Sequence, residues 1–287
     1  MKRKPAQAAA LLLGALASAA LAACSSPQKT EGAGGAPERP SGTITIAGST
    51  AMLPLVKDAS GAYQAAHKDA QISVSGGGSA VGITQVAAKA IDIGDSDITA
   101  PDHPELTDNR VAVVGFAIVA NPSAGVKNLT RAQLRDIFGG NVANWKQAGG
   151  ADQKVVVVNR PRSSGTRAVF RKTVMGGAPL VESGLVEDAT GTVVSVVKQT
   201  PGAVSYVALS GITGGGLTVV SVDGVAPDAG TITSGRYPIW SYEHMFTYGA
   251  PKGQVAAFIE FVRGRTDLVA KNKFIPIAAM HVKETDR

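Results

Sequence analysis

The chain has 287 residues, 44% hydrophobic, 17% charged and 5% aromatic, with 34 glycines, one cysteine and a formal net charge of +6. That is enough apolar side chain for one large or two medium globular domains with real cores. A lone cysteine excludes a disulfide scaffold, and sparse aromatics with a mild positive charge exclude a stacking platform or nucleic-acid-binding profile.

Residues 1–23 open with Lys2, Arg3 and Lys4 and continue as an Ala/Leu stretch ending in "LAAC". Basic flank, apolar run and small residues in that order read as an export signal. The last four residues look like a bacterial lipobox, which makes Cys24 the acylated first residue of the mature protein. Loss of the three leading cations lowers the formal charge from +6 to +3, a balance that suits an anionic ligand. Residues 24–42, rich in Pro, Gly, Ser and charge, read as a flexible tether, with the globular part starting at Thr43.

From Thr43 onward, strand-like and helix-like segments alternate. "TITIAG" (43–48) reads as a buried strand, and Met52, Leu55, Val56, Ala59 and Tyr63 follow helical spacing with Pro54 in the tolerated first turn. "QISVSG" (71–76) is a second strand, "SAVGITQVAAKA" (79–90) a helix, "IDIGDSD" (91–97) a strand entering a loop, and "VAVVGFAIVAN" (111–121) a long apolar strand. Next comes a helix with Thr130 as its cap and Gly139 as its stop, then a strand over "KVVVVNR" and helices over "TRAVFRKTV" and "TVVSVVKQT". "AVSYVAL" and "LTVVSVDG" read as strands, "YPIWSYEHMFTYG" (237–249) as extended and aromatic, and Val255, Phe258, Ile259 and Val262 as a last helix. This alternation predicts an α/β fold with mostly parallel strands and a ligand at their carboxyl ends.

Four strand ends therefore matter: "AGSTA" (47–51), "SGGGSAVG" (75–82), "GDSD" (94–97) and "NRPRSSGT" (159–166). Three of them place hydroxyls just before a helix, where unpaired N–H groups and the positive dipole end make half an anion site. Each alone is also an ordinary helix cap or turn. Arg160 adds a forked, permanently charged donor suited to a tetrahedral oxyanion. Asp97 is the odd member, because a carboxylate repels an anion. One reason for its presence is a ligand that still carries a proton at neutral pH, as phosphate does and sulfate does not. The other is a turn cap or a pairing with an arginine.

Taken in order, "GSTAMLPL", "SGGGSAVGI", "IDIGDSDI", "KNLTRAQLRDIFGGNVANWKQAGG", "NRPRSSGTR" and "PGAVSYVAL" resemble the phosphate-binding subunits of bacterial high-affinity phosphate ABC transporters. The resemblance spans nearly all of the chain from Thr43. It implies a periplasmic-binding-protein-like fold of two α/β domains closing on one dehydrated phosphate. The first would comprise 43–120 plus 237–287 and the second 121–236, with hinge crossings around 115–121 and 237–247. It also implies a phosphate cradle of Thr50, Ala51, Ser79, Asp97, Arg160, Ser164, Gly165 and Thr166. Ala51 stands where many relatives carry Ser or Phe, leaving only its amide. Arg162 adds a second cation that either faces solvent or pairs with Asp97.

The implied partners are inorganic phosphate, the membrane permease and the membrane itself through lipid on Cys24. The protein would be an extracytoplasmic monomer without cofactor, metal or nucleic acid. Rival readings are a binder of sulfate, molybdate or tungstate, a surface lipoprotein with a structural, adhesive or sensing role, and a hydrolase using Ser164 or Ser79. The last lacks a visible activating base, since His67, His103, His244 and His281 all lie outside the four corners.

Overall fold

The structure, a computed structural model, describes residues 42–182 and 184–283. The expected signal peptide, Cys24 and the tether through residue 41 lie outside the described residues. Among the described residues no helix is long and apolar enough to cross a membrane.

The fold begins with β1 (Thr43–Gly48), α1 (Leu53–Ala66), β2 (Gln71–Ser75), α2 (Ser79–Ala87) and β3 (Ile93–Ser96). Strand β1 lies between β2 and β3 and runs parallel to both. Helix α1 buries Leu55, Val56, Ala59, Ser60 and Tyr63, one stripe at helical spacing, and Pro54 occupies its first turn. Each large apolar side chain sealed this way is worth roughly 1.5–3 kcal/mol.

The 15-residue β4 (Leu106–Ala120) and, later, β10 (Trp240–Tyr248) run antiparallel to each other, and β10 also pairs antiparallel with β3. The near-continuous apolar run of β4 has a simple cause. All ten residues from Val111 to Ala120 are buried, because neighbours cover the strand along its whole length.

The middle of the chain holds β5 (Asn128–Leu129), α3 (Arg131–Gly139), β6 (Val156–Asn159), α4 (Gly165–Thr173), β7 (Leu185–Val186), α5 (Thr190–Gln199), β8 (Ala203–Ala208), β9 (Thr218–Val222) and α6 (Ala229–Thr233). Strand β6 sits between β7 and β8, parallel to both, which repeats the arrangement around β1. The far half of β4 pairs antiparallel with β8 and β9, so the sheet runs β2-β1-β3-β10-β4-β8-β6-β7, with β9 on β4 and β5 on β9. Helices α7 (Gly253–Gly264) and α8 (Thr266–Lys271) follow β10.

The α/β class expected from the sequence is present. The parallel pairings flank β1 and β6, together with the short β5–β9 pair, whereas β4 and β10 insert antiparallel crossings between the two parallel groups. Thr130 caps α3 with a reciprocal capping box to Gln133. The expected stop moves by one residue: Gly139 is the last helical position, and Gly140 takes the left-handed conformation with φ +86°.

This topology dictates where a ligand can sit. From β1 the chain crosses by α1 to β2 on one side, and β3 lies on the other. From β6 it crosses by α4 to β7, and by α5 to β8 on the opposite side. At both β1 and β6 the order of strands reverses, and ligands of such sheets bind at switch points of this kind, by the strands' carboxyl ends. Packing behind them is tight. Phe170 stacks on Tyr206 at 4.3 Å and meets Phe138 edge-on at 4.7 Å, while Tyr63 of α1 contacts Phe258 and Phe261 of α7 at 5.4 and 5.2 Å.

Candidate functional site

At the end of β1 the chain turns through Ser49, Thr50 and Ala51 into α1. Ser49 is buried and its hydroxyl donates to Asp97 Oδ1, while the same oxygen accepts from the Ala51 amide at 3.1 Å. Ser79, the first residue of α2, is fully buried, and its Oγ accepts from the Asp97 amide at 2.9 Å. Gly78 precedes it with φ +93°, and a Cβ there would stand 2.8 Å from the Ser163 carbonyl oxygen. Only glycine allows that backbone to approach so closely.

The corner after β6 supplies the opposing groups. Arg160 is 1% exposed. Its Nε donates to the Glu187 carbonyl at 3.0 Å, and its Nη2 donates to the Asp188 carbonyl at 2.8 Å and to Thr50 Oγ1 at 3.0 Å. The other guanidinium nitrogen, Nη1, is buried with no acceptor among the described residues. A buried cationic donor left without an acceptor is costly, so it calls for an anionic partner.

Ser164 caps α4 by accepting from the Arg167 amide at 3.3 Å. Thr166 donates to Asp97 Oδ2 at 2.8 Å. Gly165 opens the helix between them, and a Cβ on it would lie 2.2 Å from Ser79 Oγ and 2.9 Å from Asp97 Cβ. Two helix N-termini, those of α2 and α4, are thus brought against one carboxylate through a position that tolerates no side chain.

Of the eight residues expected from the sequence, six are joined by hydrogen bonds or close approach. Asp97 joins Ser79, Gly165 and Thr166; Arg160 joins Thr50; Ala51 and Ser164 sit one residue away from members of the set. Arg162 lies outside it. Its side chain is 86% exposed and pairs with Glu182 at 3.3 Å, so of the two alternatives the solvent-facing one holds and Asp97 is not its partner.

Burial drives the electrostatics. It raises Asp97 above the ordinary carboxylate range, and the hydroxyls of Ser49 and Thr166 and the charge of Arg160 pull it back. Burial likewise lowers Arg160, opposed by the charge of Asp97, without threatening a guanidinium's cation. Two further acids lie beside Asp97. Burial, reinforced by the charge of Asp97, pushes both Asp95 and Glu243 well above their ordinary values.

Several participants were not singled out in the sequence. Ser49 stands inside the quoted "AGSTA" corner, and its neighbours' assignments left it out. Thr190 opens α5, with its amide 3.3 Å and its hydroxyl 3.2 Å from Thr50 Oγ1. Arg167 is buried on α4 and donates to the Arg160 carbonyl at 2.5 Å and to Glu182 at 2.9 Å. Asn159 Oδ1 accepts from the Arg160 amide at 3.0 Å and from the Tyr206 hydroxyl at 2.5 Å. These groups fix the backbone from which Arg160 projects.

A buried guanidinium, a buried carboxylate and a set of hydroxyls at strand ends define a protein suited to binding a small oxyanion. The chain belongs to the PBP superfamily and, within it, to the PstS phosphate-binding proteins. The superfamily's sequence model, described as a PBP superfamily domain, matches residues 31–265. Phosphate-binding protein PstS of Bacillus subtilis (strain 168) is 42% identical over 253 residues, covering 85% of this chain and 84% of that protein. PstS of Borreliella burgdorferi is 26% identical, covering 82% and 90%. A phosphate ABC transporter substrate-binding protein from Clostridium perfringens, solved with bound phosphate, superposes with a TM-score of 0.78 at 27% identity, covering 82% of this chain and 99% of that one. An ABC-type phosphate transport receptor from Vibrio cholerae gives 0.68 at 28% identity, covering 81% and 99%.

Proposed function

We infer that this protein captures inorganic phosphate outside the cytoplasm and delivers it to the permease of an ABC transporter. One observation carries the reading: a buried arginine with an unspent N–H-bearing nitrogen shares its cradle with a buried carboxylate. The first neutralises an oxyanion; the second accepts a hydrogen bond from the oxyanion's own O–H. Hydrogen phosphate carries both the charge and the proton. The names of the relatives in Bacillus subtilis and Clostridium perfringens support the same ligand.

Phosphate would take Arg160 for its charge, the hydroxyls of Thr50, Ser79 and Ser164 and the amides of Ala51, Gly165 and Thr166 for its oxygens, and Asp97 as the acceptor of the hydrogen bond from its own O–H. Donors aimed in advance in a closed, low-dielectric site need no reorganisation on binding. Residues 43–120 plus 237–287 and residues 121–236 would be the two closing domains, since the groups just named divide between those segments. The Ala80 amide bonded to the Ser163 carbonyl at 3.1 Å and Ser210 Oγ bonded to the Ala51 carbonyl at 2.9 Å would be closure contacts, formed and broken about a hinge. Lipid on Cys24 and the tether after it would hold the protein at the membrane surface. A hydrolytic role for Ser164 is disfavoured by the use of its Oγ as a helix cap.

Calorimetric titration of the purified protein, stripped of bound anion by partial unfolding and refolding, tests this. Tight binding of phosphate without binding of sulfate or molybdate is the expected result. Binding of either of those instead would keep the site and overturn the ligand.

A further inference from the structure

Glu243 is a charged residue type in the middle of β10, fully buried, and neither of its carboxyl oxygens accepts a hydrogen bond from any N–H or hydroxyl among the described residues. A carboxyl so placed requires a neighbour or a reason. The register of β10 on β3 sets Met245 against Asp95 and His244 against Ser96, so Glu243 comes next to Asp97 where β3 ends, and the interaction of the two carboxyls favours the proton on Glu243 and the charge on Asp97. That is the pattern of an acid O–H offered to a carboxylate.

The surroundings leave little alternative. Asp95 and Asp97 both act on Glu243, and Arg160 acts on Asp97. From β4 the residue opposite Glu243 is Ala112, while Asp108 of that strand is taken by His244 Nδ1 at 2.7 Å. Helix α2, which packs on β10, contains no ionisable residue. Three buried carboxyls thus lie together while Arg160 acts on one of them, Asp97, and three uncompensated charges cannot coexist out of water.

Resting on the phosphate reading above, we propose that Glu243 is a positioning and specificity residue for Asp97: held as a neutral acid, it donates its O–H to the Asp97 carboxylate and keeps that group an acceptor. An ionised carboxylate offers about four lone-pair sites. Ser49 and Thr166 occupy two, Glu243 takes a third, and the fourth faces the ligand's proton. Were Asp97 itself to hold the proton, it would become a donor and welcome a fully deprotonated anion such as sulfate. Glu243 therefore contributes to discrimination without touching the ligand.

The test compares Glu243→Gln with Glu243→Ala in the full chain kept in detergent, reading phosphate and sulfate affinity and the infrared carbonyl bands of protonated carboxyls. The amide of Gln still donates, so its phosphate affinity should stay within roughly threefold of wild type. Ala removes the donor and should weaken phosphate roughly tenfold to a hundredfold, the size of a lost hydrogen bond to a charged group, and narrow the preference over sulfate. A carboxylic-acid band present at neutral pH should vanish in Glu243→Gln. No lost band, Gln as damaging as Ala, or Ala without effect would each overturn the proposal. Failure of the wild type to bind phosphate would instead sink the phosphate reading, with the infrared band still reporting the proton on Glu243.

Discussion

Arg160 and Arg162 stand two residues apart in one stretch and are chemically identical, so exchanging each for alanine isolates the effect of place. Arg160 is 1% exposed, donates to two carbonyls and to Thr50, and faces Asp97. Its removal leaves the Asp97 charge buried without compensation and takes away the cation that answers the ligand. Truncating one partner of a buried, hydrogen-bonded charge pair costs about 2–5 kcal/mol of binding, or roughly one and a half to nearly four powers of ten in Kd. Arg160→Lys should fall between, since an ammonium keeps the charge but cannot span both carbonyls and Thr50 with one planar fork. Arg162, 86% exposed beside a half-exposed Glu182, makes a pair worth about 0–1 kcal/mol, and Arg162→Ala should bind phosphate as the wild type does. The assay is isothermal titration of the three variants with phosphate, alongside thermal melts to establish folding. Folded Arg160→Ala with near-normal affinity would refute the role given to this guanidinium, and a comparable loss in Arg162→Ala would refute the argument from burial.

Other variants probe the remaining parts of the site. Gly165→Ala should weaken phosphate binding more than it lowers the melting temperature, because its Cβ would enter within 2.2 Å of Ser79 Oγ and push the N-termini of α2 and α4 apart; unchanged titrations would show that the two corners need not meet. Asp97→Asn should lose discrimination against sulfate while keeping the side chain's shape, and unchanged selectivity would return Asp97 to a turn-forming role. Thermal stability should fall as the pH is raised. Burial raises Asp95 and Glu243 in the folded state, so the folded protein holds protons that the unfolded chain releases near pH 4. The stabilisation is complete below that pH and is lost toward the raised folded values, by up to about 1.4 kcal/mol per pH unit for each group. Glu243→Gln should flatten the slope, and identical slopes would place its proton elsewhere. Cys24→Ser should move the protein from the membrane fraction to the soluble one, and continued retention would refute lipid anchoring.

The elements nearest the site were the most legible in the sequence, for a physical reason. A parallel strand buried on both faces is a run such as "VVVV", a helix beginning at a ligand corner is a hydroxyl before a 3.6-residue stripe, and those local signals agree with the tertiary structure at β1, β6, α1 and α4. Less legible was the direction of β4 and β10, because an apolar run covered on both sides reads the same whether its neighbours are parallel or antiparallel. The one-residue shift at Gly139-Gly140 is of the same kind: two adjacent glycines both permit the left-handed stop, and only the packing of α3 chooses between them.

At the site, the legible residues were those whose chemistry is unusual for their local position. An arginine, three hydroxyls and a glycine at a strand-to-helix corner cannot all be explained by capping. Glu243 offered no such signal. In sequence it is one of several polar residues in a stretch that reads only as extended and aromatic. Only the fold, by laying β10 against β3, turns it inward beside Asp95 and Asp97. That juxtaposition also explains how an anion site can contain carboxylates at all. With Glu243 neutral as proposed and burial favouring the protonated form of Asp95, the charges that act on each other in the cradle are Arg160 and Asp97, and Asp97 can stay an acceptor. Selectivity for a protonated oxyanion then depends on where two unligated protons reside, which no residue in direct reach of the ligand reveals.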